Sequence, residues 1–221
     1  MGFFDYSWSI RDRILEDFKT TLYMLFFSAI FAAIFGIIFG IILVVTDSGR
    51  ILENKVVYSI LDKITNIFRS IPFIILLALV APFTRLIVNT RIGPKAAIVP
   101  LVVSTIPFFA RQVEQALAEV DPGVIEAAEA MGKSPFEIII SVYLREGLPN
   151  LIRAGAITLI SLLGLTAMAG LIGGGGIGDL AISVGYNRYK DDVVIVSVIL
   201  ILIVVFIIQA IANYLIRKTK H

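Results

Sequence analysis

Residues 20–45 read TTLYMLFFSAIFAAIFGIIFGIILVV, a run with no charged residue. An α-helix rises about 1.5 Å per residue, so roughly 20 apolar residues carry it across the hydrocarbon of a bilayer. This run is long enough to cross, and it stops at a polar turn, Thr46-Asp47-Ser48-Gly49. Four further apolar stretches follow at about 54–81, 95–117, 151–172 and 192–216. The 221 residues are 58% hydrophobic, with a mean hydropathy of +0.93, well outside the ordinary globular mixture. The pattern predicts an all-α membrane protein, one transmembrane domain over 1–221 with five spans. The second span is amphipathic in its first half, where Asp62, Lys63 and Arg69 share a side. The third holds Pro100 and Pro107, tolerated where neighbouring helices satisfy the freed backbone groups.

Composition also excludes chemistry. There is no cysteine, hence no disulfide and no thiolate metal site, and the one histidine is the last residue, His221. A net charge of +2 gives no footprint for nucleic acid. No cleavable signal peptide is expected, because the residues before the first span mix both charge signs; that span would serve as its own targeting signal. Lysine and arginine near the span ends set orientation. One set of ends holds Arg50, Lys55, Arg111, Lys133, Arg145, Arg153, Arg217, Lys218 and Lys220, with Lys63 and Arg69 added on the second span. The other set holds Arg11, Arg13, Lys19, Arg85, Arg91, Lys95, Arg188 and Lys190. The balance leans towards 118–150 and the C-terminus being cytoplasmic and the N-terminus outside.

Between the third and fourth spans, residues 126–135 read EAAEAMGKSP, whose Gly132-Lys133-Ser134 ends like a nucleotide-binding loop. Such a loop wraps backbone N–H groups around phosphates and needs an earlier glycine. Here that position is Ala127, and the intervening Ala128, Glu129, Ala130 and Met131 favour helix. Gly173 to Gly178 satisfies G-x-G-x-x-G, but it follows a span rather than a strand, so the dinucleotide reading fails too. Residues 121–149 read instead as two short helices. Asp121 caps the first, Pro122 occupies its first position and Gly132 takes the left-handed position past its end. Ser134-Pro135-Phe136-Glu137 has the spacing of a capping box opening a second helix to about Glu146. Val124, Ala127, Ala128 and Met131 share a face of the first helix, suited to a groove on another protein; an ordinary solvated loop helix is the alternative.

These residues are similar to the permease subunits of binding-protein-dependent ABC importers, whose cytoplasmic loop is patterned EAA-x3-G-x9-I-x-LP. The chain has Glu126-Ala127-Ala128, Gly132 at the right offset, Val142 for the isoleucine and Leu144 for the leucine. Arg145 stands where the pattern has proline, and the nearest proline is Pro149. Arg69 to Leu77, Pro82 to Arg85, Gly173 to Asp179 and Gly185-Tyr186 further resemble the methionine-importer permeases. The resemblance implies the type I ABC importer permease fold, with five spans and a cytoplasmic two-helix coupling loop at 118–150. It implies that Glu126, Ala127, Ala128, Met131, Gly132, Val142 and Leu144 couple to a separate ATPase subunit, which would carry ATP and Mg. The chain itself would hold no cofactor or metal and no catalytic residue. Also implied are a homodimer of this chain in the bacterial inner membrane, two ATPases and an external substrate-binding protein, often a lipoprotein.

Ser70, Pro72, Thr158, Ser161, Thr166 and Met168 are candidates for lining a passage, although small and hydroxyl-bearing residues also serve close helix packing. Gly173, Gly174, Gly175, Gly176, Gly178 and Asp179 are candidates for an external gate, or simply for a turn back towards the membrane. Trp8, with Phe3, Phe4 and Tyr6, would anchor the N-terminal segment at the interface. Substrates other than methionine, another amino acid or a small osmolyte, fit the same reading. An ion-coupled carrier would need an acid or base within a span, for which Asp62 is the candidate. An embedded enzyme needs a constellation of reactive groups that is not recognisable here.

Overall fold

The computed structural model describes residues 4–219, and these form helices and no strand. In chain order they are α1 (Asp5–Ser9), α2 (Arg11–Thr46), α3 (Lys55–Ser70), α4 (Phe73–Val88), α5 (Pro94–Ala118), α6 (Pro122–Ala130), α7 (Pro135–Ile138), α8 (Leu144–Glu146), α9 (Leu148–Ala169), α10 (Ile177–Asp179) and α11 (Asp191–Thr219). Wider π-helical turns occupy Ile139–Tyr143, Gly170–Gly174 and Leu180–Tyr186. Four helices are long and apolar enough to cross a membrane, α2, α5, α9 with its following turn, and α11; there are five if α3 and α4 count as one broken span.

That break is the main departure from the sequence reading, which ran one span through 54–81. Helix stops at Ser70 because the residue before a proline is pushed out of the α region. Pro72, at ψ 135°, then acts as the N-cap of α4, and its carbonyl accepts from the N–H groups of Ile75 and Leu76 at 2.9 and 3.0 Å. A smaller departure lies in the second loop helix. It holds its direction only through the π-helical turn Ile139–Tyr143 between α7 and α8.

The described residues pack as two compact units, with α2, α5, α9 and α11 contributing to both. One unit comprises the described part of Met1–Phe31 with Ile71–Ser104 and Leu159–Gln209. Its core joins Met24, Phe73, Leu101 and Leu162, with a second cluster at Ile14, Ile177, Leu180 and Val193. Asp192 ties α1 to α11 here, accepting from both the backbone N–H and the hydroxyl of Ser7 at 2.7 Å. Trp8 stays exposed with the Arg11 guanidinium 5.3 Å from its ring centroid, and Phe4 is also exposed. Phe3 lies outside the described residues.

The other unit comprises Ala32–Ser70, Thr105–Thr158 and the remainder from Ala210. Its core runs from Val44 through Phe109, Val113 and Leu117 to Ile125, Ile138 and Tyr143. Two glycines one turn apart on α2 let α5 lie against its backbone. A Cβ at Gly36 would fall 2.7 Å from Cδ1 of Phe109, and one at Gly40 2.6 Å from Cγ1 of Val113 and 2.7 Å from the carbonyl of Ala110. This is close approach by small residues, which replaces hydrophobic exclusion as a packing force between helices in lipid.

The outward surface suits the same solvent. Along α11, Val198, Leu202 and Phe206 are exposed, and only a small part of that helix is covered by the rest of the chain. Continuous apolar exposure on this scale belongs to a bilayer or a partner, not to water. Hydroxyls in the apolar helices return to their own backbone: Thr46, Thr84 and Ser197 donate to the carbonyls four residues earlier at 2.7, 3.1 and 2.7 Å. Replacing Gly40 with valine is expected to separate α2 from α5. The check is gel filtration and thermal unfolding in detergent, where Gly40→Val should lower the apparent unfolding temperature by several degrees and Gly155→Ala, whose added methyl meets nothing within 4 Å, should not.

Candidate functional site

The segment after α5 is built by local signals. Asp121 Oδ1 accepts the Gly123 N–H at 2.7 Å, with Pro122 at the first helical position. Gly132 sits at φ +78°. Its N–H donates to Glu129 O at 2.9 Å, and the Lys133 N–H donates to Ala128 O at 3.2 Å. That pair of bonds is the Schellman closure, which satisfies the last carbonyls of α6 and needs a left-handed residue at Gly132. Two residues later Ser134 opens α7 with a complete capping box: its hydroxyl accepts from the Glu137 N–H, and Glu137 Oε2 accepts from the Ser134 N–H at 2.8 Å and its hydroxyl at 2.7 Å. These hydrogen bonds to the ionised carboxylate hold Glu137 below the usual carboxylate range. The Lys133 ammonium donates to Ser141 Oγ at 3.0 Å, so the lysine that suggested a phosphate loop braces the turn instead.

The segment is fixed to its own unit at several points. Arg50 Nη2 donates to the Ala118 carbonyl at 3.3 Å, and Asn150 Nδ2 donates to Glu119 Oε2 at 2.6 Å. Gly147 lies against α5, where a Cβ would meet Leu117 Cδ2 at 2.6 Å. This sorts the seven predicted coupling residues. Glu126, Ala127, Met131 and Gly132 are exposed. Ala128 and Val142 are buried in the chain's own core, and Leu144 is half-buried against it. The buried face of α6 is Ile125 with Ala128; its open apolar face is Val124, Ala127 and Met131. Phe136, 70% exposed at the start of α7, joins the exposed apolar side chains of this segment. The sequence reading did not single it out, although a large aromatic directly after a Ser-Pro helix start, on a segment otherwise rich in acids, was there to be noticed.

Beside this segment lies a polar cluster joining α3 to α5. Arg111 Nη1 donates to Glu114 Oε2 at 2.6 Å, Nη2 bridges to Asp62 Oδ1, and Asn66 Oδ1 accepts from the same nitrogen at 3.2 Å. The Tyr58 hydroxyl donates to Glu114 Oε1 at 3.3 Å. Tyr58, Asp62 and Asn66 recur every four residues on one face of α3, so one helix stripe meets one turn of α5. Asp62, the residue an ion-coupled carrier would use, is therefore an acceptor for arginine.

The passage candidates separate as well. Thr158 and Thr166 are buried, and each donates to a carbonyl of its own helix, Ala154 at 2.9 Å and Leu163 at 2.7 Å. Ser161 is exposed and Met168 half-buried on α9; Gly164, between them and not among those candidates, is also exposed, and a Cβ there would meet nothing within 4 Å. Ser70 is exposed at the end of α3, where its hydroxyl donates to Asn66 O at 2.8 Å, and Pro72 caps α4. The gate candidates are held within one unit. Gly173, Gly175 and Gly176 have positive φ, and Gly173 O accepts the Gly93 N–H at 2.8 Å. The Ile177 N–H donates to Thr21 Oγ1 at 2.9 Å, and Gly176 packs so closely on Thr21 that a Cβ would lie 2.6 Å from the same oxygen. Gly174 and Gly178 are buried, and Asp179 Oδ1 accepts from Ser183 Oγ at 2.5 Å.

A multi-pass helical membrane protein with a braced two-helix segment between two of its spans is the class these features define. The chain belongs to the family of binding-protein-dependent transport system inner membrane components, whose pattern matches residues 34–221. It is similar to the probable D-methionine transport system permease protein MetI of Vibrio cholerae, 43% identical over 210 residues, 95% of this chain and 93% of that protein. The methionine import system permease protein MetP of Bacillus subtilis is 48% identical over 171 residues, 77% of each chain. Among solved structures, the MetNI methionine ABC transporter in an inward-facing conformation contains a chain that superposes with a TM-score of 0.93 at 43% identity, covering 96% of this chain and 99% of that one. An amino acid ABC transporter at 16% identity and a TM-score of 0.80 shares the fold alone. The fold is that of type I ABC importer permeases.

Removing Arg111 strands two carboxylates against each other. Breaking a buried ion pair costs about 3–5 kcal/mol, less where one partner reaches water as Asp62 does. Arg111→Ala is expected to lower the apparent unfolding temperature in detergent by roughly 4–8 °C, and Asp62→Asn, which keeps a polar partner for the arginine, by less than half of that. Equal stability of Arg111→Ala and wild type would remove the cluster from the account of the fold.

Proposed function

We propose that this chain is the membrane-spanning subunit of an ATP-driven methionine importer, working as a homodimer with two ATPase subunits and an external substrate-binding protein. The observation that carries the substrate is near-full-length similarity to proteins named as methionine and D-methionine permeases. In this reading Val124, Ala127, Met131 and Phe136 form the apolar surface that enters a cleft on the ATPase, with Glu126 at its edge. Ala128, Val142 and Leu144 tie that surface to the core, so that a displacement of α6 moves α5 and α9. The segment 118–150 and the C-terminus face the cytoplasm, and the N-terminus and the glycine run face outside. ATP and Mg belong to the partner, and hydrolysis occurs there. Ser161, Gly164 and Met168 supply the side of α9 along which substrate passes between the two copies. Thr158 and Thr166, whose hydroxyls are committed to their own helix, serve packing. Gly173 to Asp179 close the external end against α2.

Methionine uptake into vesicles holding the co-expressed permease and ATPase, with binding protein and ATP supplied, tests this directly. ATP-dependent uptake that unlabelled methionine suppresses and other amino acids do not supports the reading; suppression by a different amino acid would reassign the substrate. Gly132→Asp is the sharper test of coupling. A Cβ at Gly132 meets nothing within 4 Å, so its main internal cost is left-handed backbone strain of about 1 kcal/mol. It is expected to leave membrane insertion intact and reduce uptake at least tenfold, and wild-type uptake would overturn the coupling assignment. Gly164→Trp should likewise insert normally and reduce uptake at least tenfold while ATPase binding persists in a pull-down. Unimpaired uptake by that variant would move the passage off this face of α9.

A further inference from the structure

An open groove of about 470 Å³ lies where α2 enters its apolar run and α5 begins. Lys19 and Lys95 line it together, with Tyr23, Ile92 and Pro94 among the walls, which are mostly apolar. Both lysines are exposed, and neither makes an ion pair among the described residues. Of the two acids within a turn of Lys19, Asp17 is already engaged, with Arg13 Nε 3.6 Å from its carboxylate, which also accepts the Gly176 N–H at 3.3 Å, and Glu16 is exposed and forms no ion pair with Lys19. Residues 84–95 carry Arg85, Arg91 and Lys95 and no acid, so nothing in the neighbouring loop neutralises the groove. Lys19 immediately precedes the uncharged stretch 20–45, and Lys95 precedes the apolar part of α5. The groove therefore lies at the water–hydrocarbon boundary.

We infer that this groove is a binding site for an anionic phospholipid, its phosphodiester held between the ammonium groups of Lys19 and Lys95. Three observations select that occupant. Two unpaired cations on one concavity favour an anion, and an interfacial lysine attracts anionic lipid by about 1 kcal/mol. The mostly apolar walls offer a small free anion little, whereas they suit the glycerol and upper acyl region of a lipid. Below the groove the outer face of α2 continues as an apolar track: Tyr23 lies tilted against Phe27 with ring centroids 4.8 Å apart, and Phe26, Phe27 and Ile30 are exposed. Headgroup and chains thus find matching surfaces one above the other. The site does not rest on the import reading, because it is measured as bound lipid and not as transport.

The test is native mass spectrometry of the detergent-solubilised complex, incubated with an equimolar mixture of phosphatidylglycerol and phosphatidylcholine. The wild type is expected to retain phosphatidylglycerol over phosphatidylcholine by on the order of tenfold or more, two lysines each contributing about a factor of five. Lys19→Gln/Lys95→Gln should bring the ratio to within about twofold of unity, while Lys19→Arg/Lys95→Arg retains the preference and shows that charge, not folding, is responsible. Unchanged preference in the glutamine variant would overturn the proposal. So would displacement of the retained lipid by millimolar inorganic phosphate or by methionine, which would make the groove a site for a free anion or for the transported substrate.

Discussion

Inside a bilayer no water is available to backbone N–H and C=O groups, and each one left alone there costs several kcal/mol. Helices satisfy these groups internally, and the rest of this structure follows from having to do so without interruption. Where the ladder is broken, another group takes over. Pro72 supplies the carbonyl that starts α4, Asn89 adopts a left-handed conformation and returns its N–H to Arg85 O, and Thr21 receives the N–H of Ile177. Several side-chain hydroxyls, Thr46, Thr84, Thr158 and Ser197 among them, bond to their own helix. Other polar residues pair with one another, most extensively around Arg111 and also at Ser7–Asp192 and Ser183–Asp179.

With hydrophobic exclusion absent between helices, contact area and polar bonds decide which faces meet. Gly36 and Gly40 show the first: removing two side chains lets α5 approach the α2 backbone. The Tyr58–Asp62–Asn66 stripe on α3, facing Arg111 and Glu114 on α5, shows the second. Both pairings lie in the unit that carries the braced segment 118–150, the element proposed to meet the ATPase.

Much of this was legible in the sequence, because the signals are local. An apolar run of span length, a proline at the first helical position, an aspartate before it and serine three places ahead of glutamate each carry their own physics, and the structure has the cap, the closure and the capping box at those residues. What was not legible depends on partners far away in the chain. Nothing near Gly36 or Gly40 says that Phe109 and Val113 will lie there, and nothing near Asp62 names Arg111. The break at Ile71-Pro72 was half legible, since proline alone allows either a kink or a fresh start. The spacing of the predicted coupling residues could not separate the exposed Met131 from the buried Ala128, because the two lie three residues apart on one side of the helix and the neighbour that covers Ala128 is remote in the chain. Phe136 was not legible because the local pattern Ser134-Pro135-Phe136-Glu137 fixes only the helix start, and whether the ring is covered depends on remote parts of the chain.

Consider finally the corner between α6 and α7. From Ala128 to Glu137 the chain turns through one glycine while two interlocked caps occupy nearly every free backbone group at the junction, and Lys133 reaches on to Ser141. Such a corner can bend only by breaking some of these hydrogen bonds, so the two short helices are tied to move together. In the proposed importer, where ATP would be hydrolysed on a partner, such a joint would act as a rocker arm.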